Sequence, residues 1–386
     1  MQVVVQQPTP SVGVGRRLDM ENTAARTPHS GAVNSPAASR RQGVPLATAM
    51  SSCEYYPVGL DAKRRLISFA RISRETYRRT AFLVPRHGNL GRHLYTFNLD
   101  DLLLYDMNEP SVGARSQYIL ISAFCCSTLL ARYLDLVPGC FVLKEPGLLG
   151  QLGMCRFRTD LAEQGAEWEA EWNRLAQVGL RLLTRTFAPE DTVIIKAADV
   201  CNTMGEAILE HDARSRLLLL SVGLRTFILS VLKLDNRRVW MRERAKFWSR
   251  NVGAFPALAN IEVEGLEDAE KSAYLWLVTD AYWTRLRQTV DPDRILLMDG
   301  EEISDSPGIA LDKITSFFDV PVAPERLEKI LAGPSASRHS KFPSKSYDAA
   351  TRRRDVEEWE RRFGAVTDRA MEWAAKIRRK SGLQCD

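Results

Sequence analysis

The sequence predicts an α/β protein: a parallel β-sheet flanked by helices, with a small N-terminal appendage and a C-terminal helix. Three observations carry this reading. Apolar runs at 118–122, 140–143, 192–197, 216–222 and 294–298 show no alternation of apolar with polar residues. That is the pattern of strands covered on both faces. Helical stretches at 127–136, 159–186, 199–210 and 224–234 separate successive runs, and 271–289 places Tyr274, Leu277, Val278 and Ala281 on one face. Strands and helices in alternation build right-handed crossovers between parallel strands.

Taken in order, residues 1–50 are rich in Pro, Ser, Ala, Gly and Arg, with only Val3–Val5 as an apolar cluster. A disordered tail is expected there, since so little apolar surface cannot offset chain entropy. Residues 51–110 read as a small mixed α/β appendage, because RLISFARI and HLYTFNL alternate like half-exposed strands. The main α/β domain is expected over 111–347 and a charged helix packing on it over 348–386.

The net charge of +5 over 386 residues resides in the ends. Residues 1–50 carry five Arg against Asp19 and Glu21, and 351–386 carry ten Lys and Arg against seven acids, so the remainder sums to −1. Basic ends around a near-neutral body argue against a nucleic-acid surface on the body. The run Leu217–Leu234 has the length of a membrane span, but Gly223 interrupts it and Arg225 lies mid-run. A charge there costs roughly 3 kcal/mol on insertion scales, so a strand followed by a helix is the expectation, with no span. The seven cysteines, at 53, 125, 126, 140, 155, 201 and 385, show no metal-ligand spacing. A reduced, cytoplasmic compartment and no metal are expected.

The first strand runs into Ser122-Ala-Phe-Cys-Cys-Ser127-Thr128, where two hydroxyls open a helix. Strand, turn and helix N-terminus is a geometry that holds anions, beyond the carboxyl ends of the strands. Without a Gly-Lys-Ser/Thr triplet a nucleoside triphosphatase or kinase is disfavoured. On local pattern alone, Ser127 as a plain helix cap explains the same residues.

A second segment, Arg294–Val322, reads strand, acidic turn, Pro307 opening a helix, then Phe317-Phe318-Asp319-Val320-Pro321. It resembles a late signature of the sulfotransferase family, with Glu301, Ile303 and Pro307 at the family's spacing. The loop Ala123–Leu129 then resembles the family's 5′-phosphosulfate loop, and 216–233 its 3′-phosphate strand and helix. The chain departs from the family at three places: Phe124 stands where a loop Lys or Arg is usual, Cys126 for a Gly, and Val222 for an Arg.

The resemblance implies the P-loop-like sulfotransferase fold and sulfuryl transfer from 3′-phosphoadenylyl sulfate to a hydroxyl or amine on a small-molecule or glycan-like acceptor. It implies nucleotide contacts from Cys125, Cys126, Ser127, Thr128, Arg225 and Ser230. Lys144 is the first candidate for the missing loop cation and Lys196 the second, with Glu145 as the acceptor base. Because Phe124 replaces the loop cation, a non-catalytic fold member that binds a nucleotide or a partner is the alternative. His211 and His339, the 237–246 basic cluster and a lid over 338–349 are lesser candidates.

Overall fold

The computed structural model describes residues 43–84, 90, 93–108, 113–157, 166–333 and 349–381. The N-terminal tail up to residue 42, His339, Cys385 and nearly all of the expected lid lie outside these residues.

Eight strands form two sheets. β1 (Tyr55–Asp61), β2 (Leu66–Arg71) and β3 (Leu94–Asn98) make an antiparallel sheet in the order β1-β2-β3. β4 (Ser116–Ile121), β5 (Cys140–Lys144), β6 (Thr192–Lys196), β7 (Leu217–Ser221) and β8 (Ile295–Asp299) make a parallel sheet in the order β5-β6-β4-β7-β8. The chain starts at the central strand β4, crosses to the edge strand β5, fills the gap with β6, and then passes over β4 to add β7 and β8 on the other side. The carboxyl end of β4 is therefore the topological switch point, where a crevice for ligands opens.

Alternation along the buried strands explains both cores. Tyr118, Leu120, Phe141, Leu143, Val193, Ile195, Leu217 and Leu219 face one core, while Ile119, Ile121, Val142, Ile194, Leu218 and Leu220 face the other. A period of two sends successive side chains to opposite faces. The first core also holds Tyr56, Phe69, Leu99 and Leu102. The strands expected to form an appendage thus share their apolar surface with the main sheet, and Tyr56 donates from its hydroxyl to the Leu83 carbonyl at 2.8 Å. A short polar-alternating strand buries one face wherever a larger apolar layer lies, and here that layer is the main sheet.

The expected tail boundary at residue 50 also shifts. Leu46–Ser51 is helical, with Ala49 and Met50 buried. The buried Arg185 donates from Nη1 to the carbonyls of Ala49 (2.5 Å), Met50 (3.1 Å) and Ser52 (2.9 Å), and from Nη2 to Tyr55 (2.7 Å). Burial pushes its pKa down to about 10, so those carbonyls are what holds a charge in that position. A chain begun at Ser51 is expected to be less stable than one begun at Gly43 by at least about 2 kcal/mol, and so to unfold at a lower midpoint, because apolar burial and two acceptors are lost together. Equal midpoints in thermal unfolding would show that this helix is dispensable.

The run Leu217–Leu234 resolves into β7 and the helix Leu224–Leu232, and no described helix is long and apolar enough to cross a membrane. The expected charged C-terminal helix is present as Ala349–Ser381, buried through Thr367, Ala370 and Ala374. The acidic turn after β8 is itself a helix, Gly300–Asp305, closed by a capping box between Asp299 and Glu302. Pro307 opens the next helix, Pro307–Phe317, as its fixed φ favours.

Candidate functional site

The loop after β4 is held in an unusual conformation. Ala123 (φ 64°), Phe124 (φ 54°) and Cys126 (φ 59°) are all left-handed. L-residues adopt that region at a cost of about 1 kcal/mol each. A left-handed residue followed by right-handed ones turns successive N–H groups into one concavity. Cys126, followed by the helix Ser127–Leu134, makes such a step. The Gly-to-Cys departure at 126 therefore changes the side chain without relaxing the backbone.

No side chain caps this helix, so its first N–H groups face the concavity beside the buried Ser127 and Thr128. The Cys125 thiol is fully buried, and burial pushes its pKa up to about 11; it packs under the loop as an apolar group. Gly300, the first residue of the helix that follows β8, packs against the loop so closely that a Cβ there would lie 2.2 Å from the Cys125 carbonyl oxygen. Glycine at 300 is thus required by close approach.

Phe124 occupies the place of the usual loop cation. Its ring meets Trp240 edge-on at 5.1 Å and Phe227 at 6.1 Å. The Arg237 guanidinium lies 4.4 Å from the ring centre, a stacking arrangement that suits arginine. Arg237 also donates to the Ser230 carbonyl at 2.8 Å. A cation is thus present over the loop, supplied by the helix Asp235–Asn251.

Lys144 and Lys196 are register partners in the β5–β6 ladder, yet their ammonium groups go to different places. Lys144, on the edge strand, reaches Asp135 at 2.7 Å and the carbonyls of Tyr77 (3.0 Å) and Arg78 (2.9 Å). All three of its protons are used, and burial pushes its pKa down against the pull of Asp135. The structure therefore commits the Lys144 ammonium to a buried pair with Asp135 and not to Glu145. The expectation failed because nearness to a strand tip says nothing about which neighbours a four-carbon side chain finds.

Lys196 is buried and forms an ion pair with Glu145. Its Nζ also lies 5.7 Å from the Phe82 ring centre. Glu145 ends β5 in a left-handed turn (φ 50°), and its N–H donates to the Lys196 carbonyl at 2.7 Å. This turn sets the carboxylate over the sheet edge. Behind it, Asp199 pairs with Arg244 at 2.8 Å. Burial raises the Asp199 pKa, the Glu145 charge adds to the rise, and Arg244 opposes it. Two ion pairs, Lys196–Glu145 and Arg244–Asp199, thus lie at the carboxyl ends of β5 and β6 with their carboxylates facing one another.

Arg225 is not turned to the loop. It donates to both Glu360 oxygens at 2.7 Å and to Asp368 at 2.6 Å, binding the C-terminal helix. Ser230 is buried in its helix. Of the sequence candidates, the structure pairs Lys196 with Glu145 beside Cys125 of the loop, commits the Lys144 ammonium to Asp135, and commits Arg225 to the C-terminal helix. It adds Phe82, Asp199 and Gly300, and of the 237–246 basic cluster it places Arg237 over Phe124. Asp199 and Gly300 each follow a strand closely, a position that could have marked them; Phe82 had no local signal.

Over residues 269–377 the chain matches the family model described as a sulfotransferase domain, which bears out the resemblance read from the sequence. No curated protein sequence matches the chain. Among solved structures, it is similar to a sulfotransferase domain of the Synechococcus olefin synthase, at 17% identity and TM-score 0.38, over 65% of this chain and 90% of that one. It is similar to a mouse sulfotransferase complexed with PAP, at 14% identity and TM-score 0.38, over 75% of this chain and 94% of that one. A retinol dehydratase in complex with androsterone and PAP is similar at 11% identity and TM-score 0.32, over 73% of this chain and 87% of that one.

Proposed function

We propose that this sulfotransferase-like chain is an enzyme that uses 3′-phosphoadenylyl sulfate and transfers its sulfuryl group to a hydroxyl or amine. The observation that carries the reading is the Lys196–Glu145 pair at the sheet's carboxyl edge, a cation and a carboxylate flanking the loop. When bound, the nucleotide supplies an activated sulfuryl group.

The residues present fit its 5′ end. The left-handed loop and the uncapped helix offer N–H groups and two hydroxyls to the 5′-phosphate. We assign Lys196 to the negative charge that grows during transfer, a contact strengthened by its burial. We assign Glu145 the acceptor's proton; the left-handed turn holds this carboxylate at the edge. Arg225 does not fit the 3′-phosphate, since Glu360 and Asp368 take its donors. Arg237, beside Ser230 and over Phe124, is the guanidinium we assign there.

The same Arg225 contacts favour a second reading, a fold member without catalysis, because protein carboxylates stand where a phosphate would be met. Thermal unfolding separates the two classes of ligand. 3′-Phosphoadenosine 5′-phosphate at a hundredfold excess over Kd is expected to stabilise the protein by about 2.7 kcal/mol, with ATP–Mg²⁺ giving no comparable shift. Stabilisation by the bisphosphate without transfer to any of a panel of alcohols and amines supports the second reading. No shift with the bisphosphate removes the transfer reading and leaves a fold member that binds something other than this nucleotide.

A further inference from the structure

Next to the transfer site lies a cavity of about 470 Å³. Its wall includes Arg78, Arg79, Arg132, Lys144 and Arg326 against the single acid Asp135, which is committed to Lys144. Thr128 lines it too, one helical turn before Arg132 and on the same face. Arg79 pairs with Glu75, and Arg326 donates to the Leu136 carbonyl. Arg78 and Arg132 form no ion pair among the described residues, and Arg132 is half-buried. Burial lowers its pKa with no opposing partner. A partly desolvated guanidinium with no counter-charge is costly unless an anion arrives to meet it.

We propose that this cavity is an oxyanion subsite that takes a carboxylate, phosphate or sulfate group carried by the acceptor. Its position supplies the link to the transfer site. Ala81 lines the cavity and the next residue, Phe82, rests beside Lys196; Lys144 lines it and the next residue, Glu145, pairs with Lys196. The segment carrying Phe82 is fixed to the tip of β5, with the Leu83 N–H donating to the Lys144 carbonyl at 2.7 Å. An acceptor anchored by its anion among Arg78, Arg132 and Arg326 would hold its nucleophile toward Glu145. The acceptor assignment rests on the transfer reading above; binding of an oxyanion in the cavity does not.

Inorganic phosphate, titrated calorimetrically into the full chain at constant ionic strength, is the first probe. The wild type is expected to bind it, and Arg78→Gln with Arg132→Gln to weaken binding at least tenfold, while Lys196→Met leaves it unchanged. Equal phosphate binding by the double variant, with its fold intact by circular dichroism, overturns the subsite. Competition between phosphate and the bisphosphate nucleotide would fold the cavity into the donor site and overturn the acceptor assignment. The second probe is a hydroxybenzoate compared with its methyl ester as acceptor. The wild type should favour the acid in kcat/KM at least tenfold, and Arg132→Gln should remove that preference; an unchanged preference counts against the proposal. Phosphate binding that persists in a chain with no affinity for the nucleotide would sink the transfer reading and support the subsite.

Discussion

Lys196→Met is expected to reduce kcat for sulfuryl transfer by about 10³-fold while changing nucleotide affinity by much less. The physical ground is differential binding: a cation aimed at charge that develops only in the transition state acts on kcat and hardly on the ground state. Lys196 is buried, so no water takes over its role at once. Met keeps the length of the side chain and removes the charge, leaving Glu145 unpaired but partly exposed, with 24% of its side chain open to solvent. The structural cost should therefore be modest. Glu145→Gln is the companion variant; it keeps the shape and a hydrogen bond but removes the base, and its deficit should be in kcat across the pH range where wild type is active. Single-turnover kinetics with nucleotide saturating gives the measurement. Full activity in Lys196→Met would move the cation to Arg237 or another member of the 237–246 cluster.

Lys144→Met is expected to act on stability. The change leaves Asp135 mostly buried beside two carbonyls that have lost their donor. Breaking a buried pair by removing one partner costs roughly 3–5 kcal/mol, whereas replacing both partners with apolar groups is often nearly neutral. The double variant Lys144→Met, Asp135→Leu should therefore recover most of the loss in denaturant unfolding. Transfer to an acceptor that carries no anion should match wild type in the folded fraction of the single variant, since Lys144 is committed to Asp135 and two carbonyls. A stable Lys144→Met protein lacking activity would restore this lysine to the transfer site, against the geometry.

How much of this was legible from the chain differs by element. The five apolar runs became β4–β8 within a residue or two; for β4–β7 the reason is burial on both faces, whereas β8 is an edge strand with Leu297 exposed. The loop and the Ser127-Thr128 helix start were legible for a similar reason: helix entry is a local event, set by a few adjacent residues. Pro307 at the head of its helix is another case. The left-handed backbone at Phe124 and Cys126 was not legible, since neither residue prefers it and only tertiary contacts such as the Gly300 approach hold it there.

Charges show the sharpest division. Lys144 and Lys196 sit at equivalent heights on neighbouring strands, and one pairs with Asp135 beyond the sheet edge while the other pairs with Glu145. Arg225 is claimed by a helix more than a hundred residues later in the chain. A long charged side chain has several rotamers of similar energy and settles on whichever partner the assembled fold brings within about 4 Å. Sequence alone determined the strands, the helix starts and the place of the loop after β4, because these depend on local periodicity and adjacent residues. Tertiary structure decided which carboxylate each cation meets, because that choice depends on distances between segments far apart in the chain.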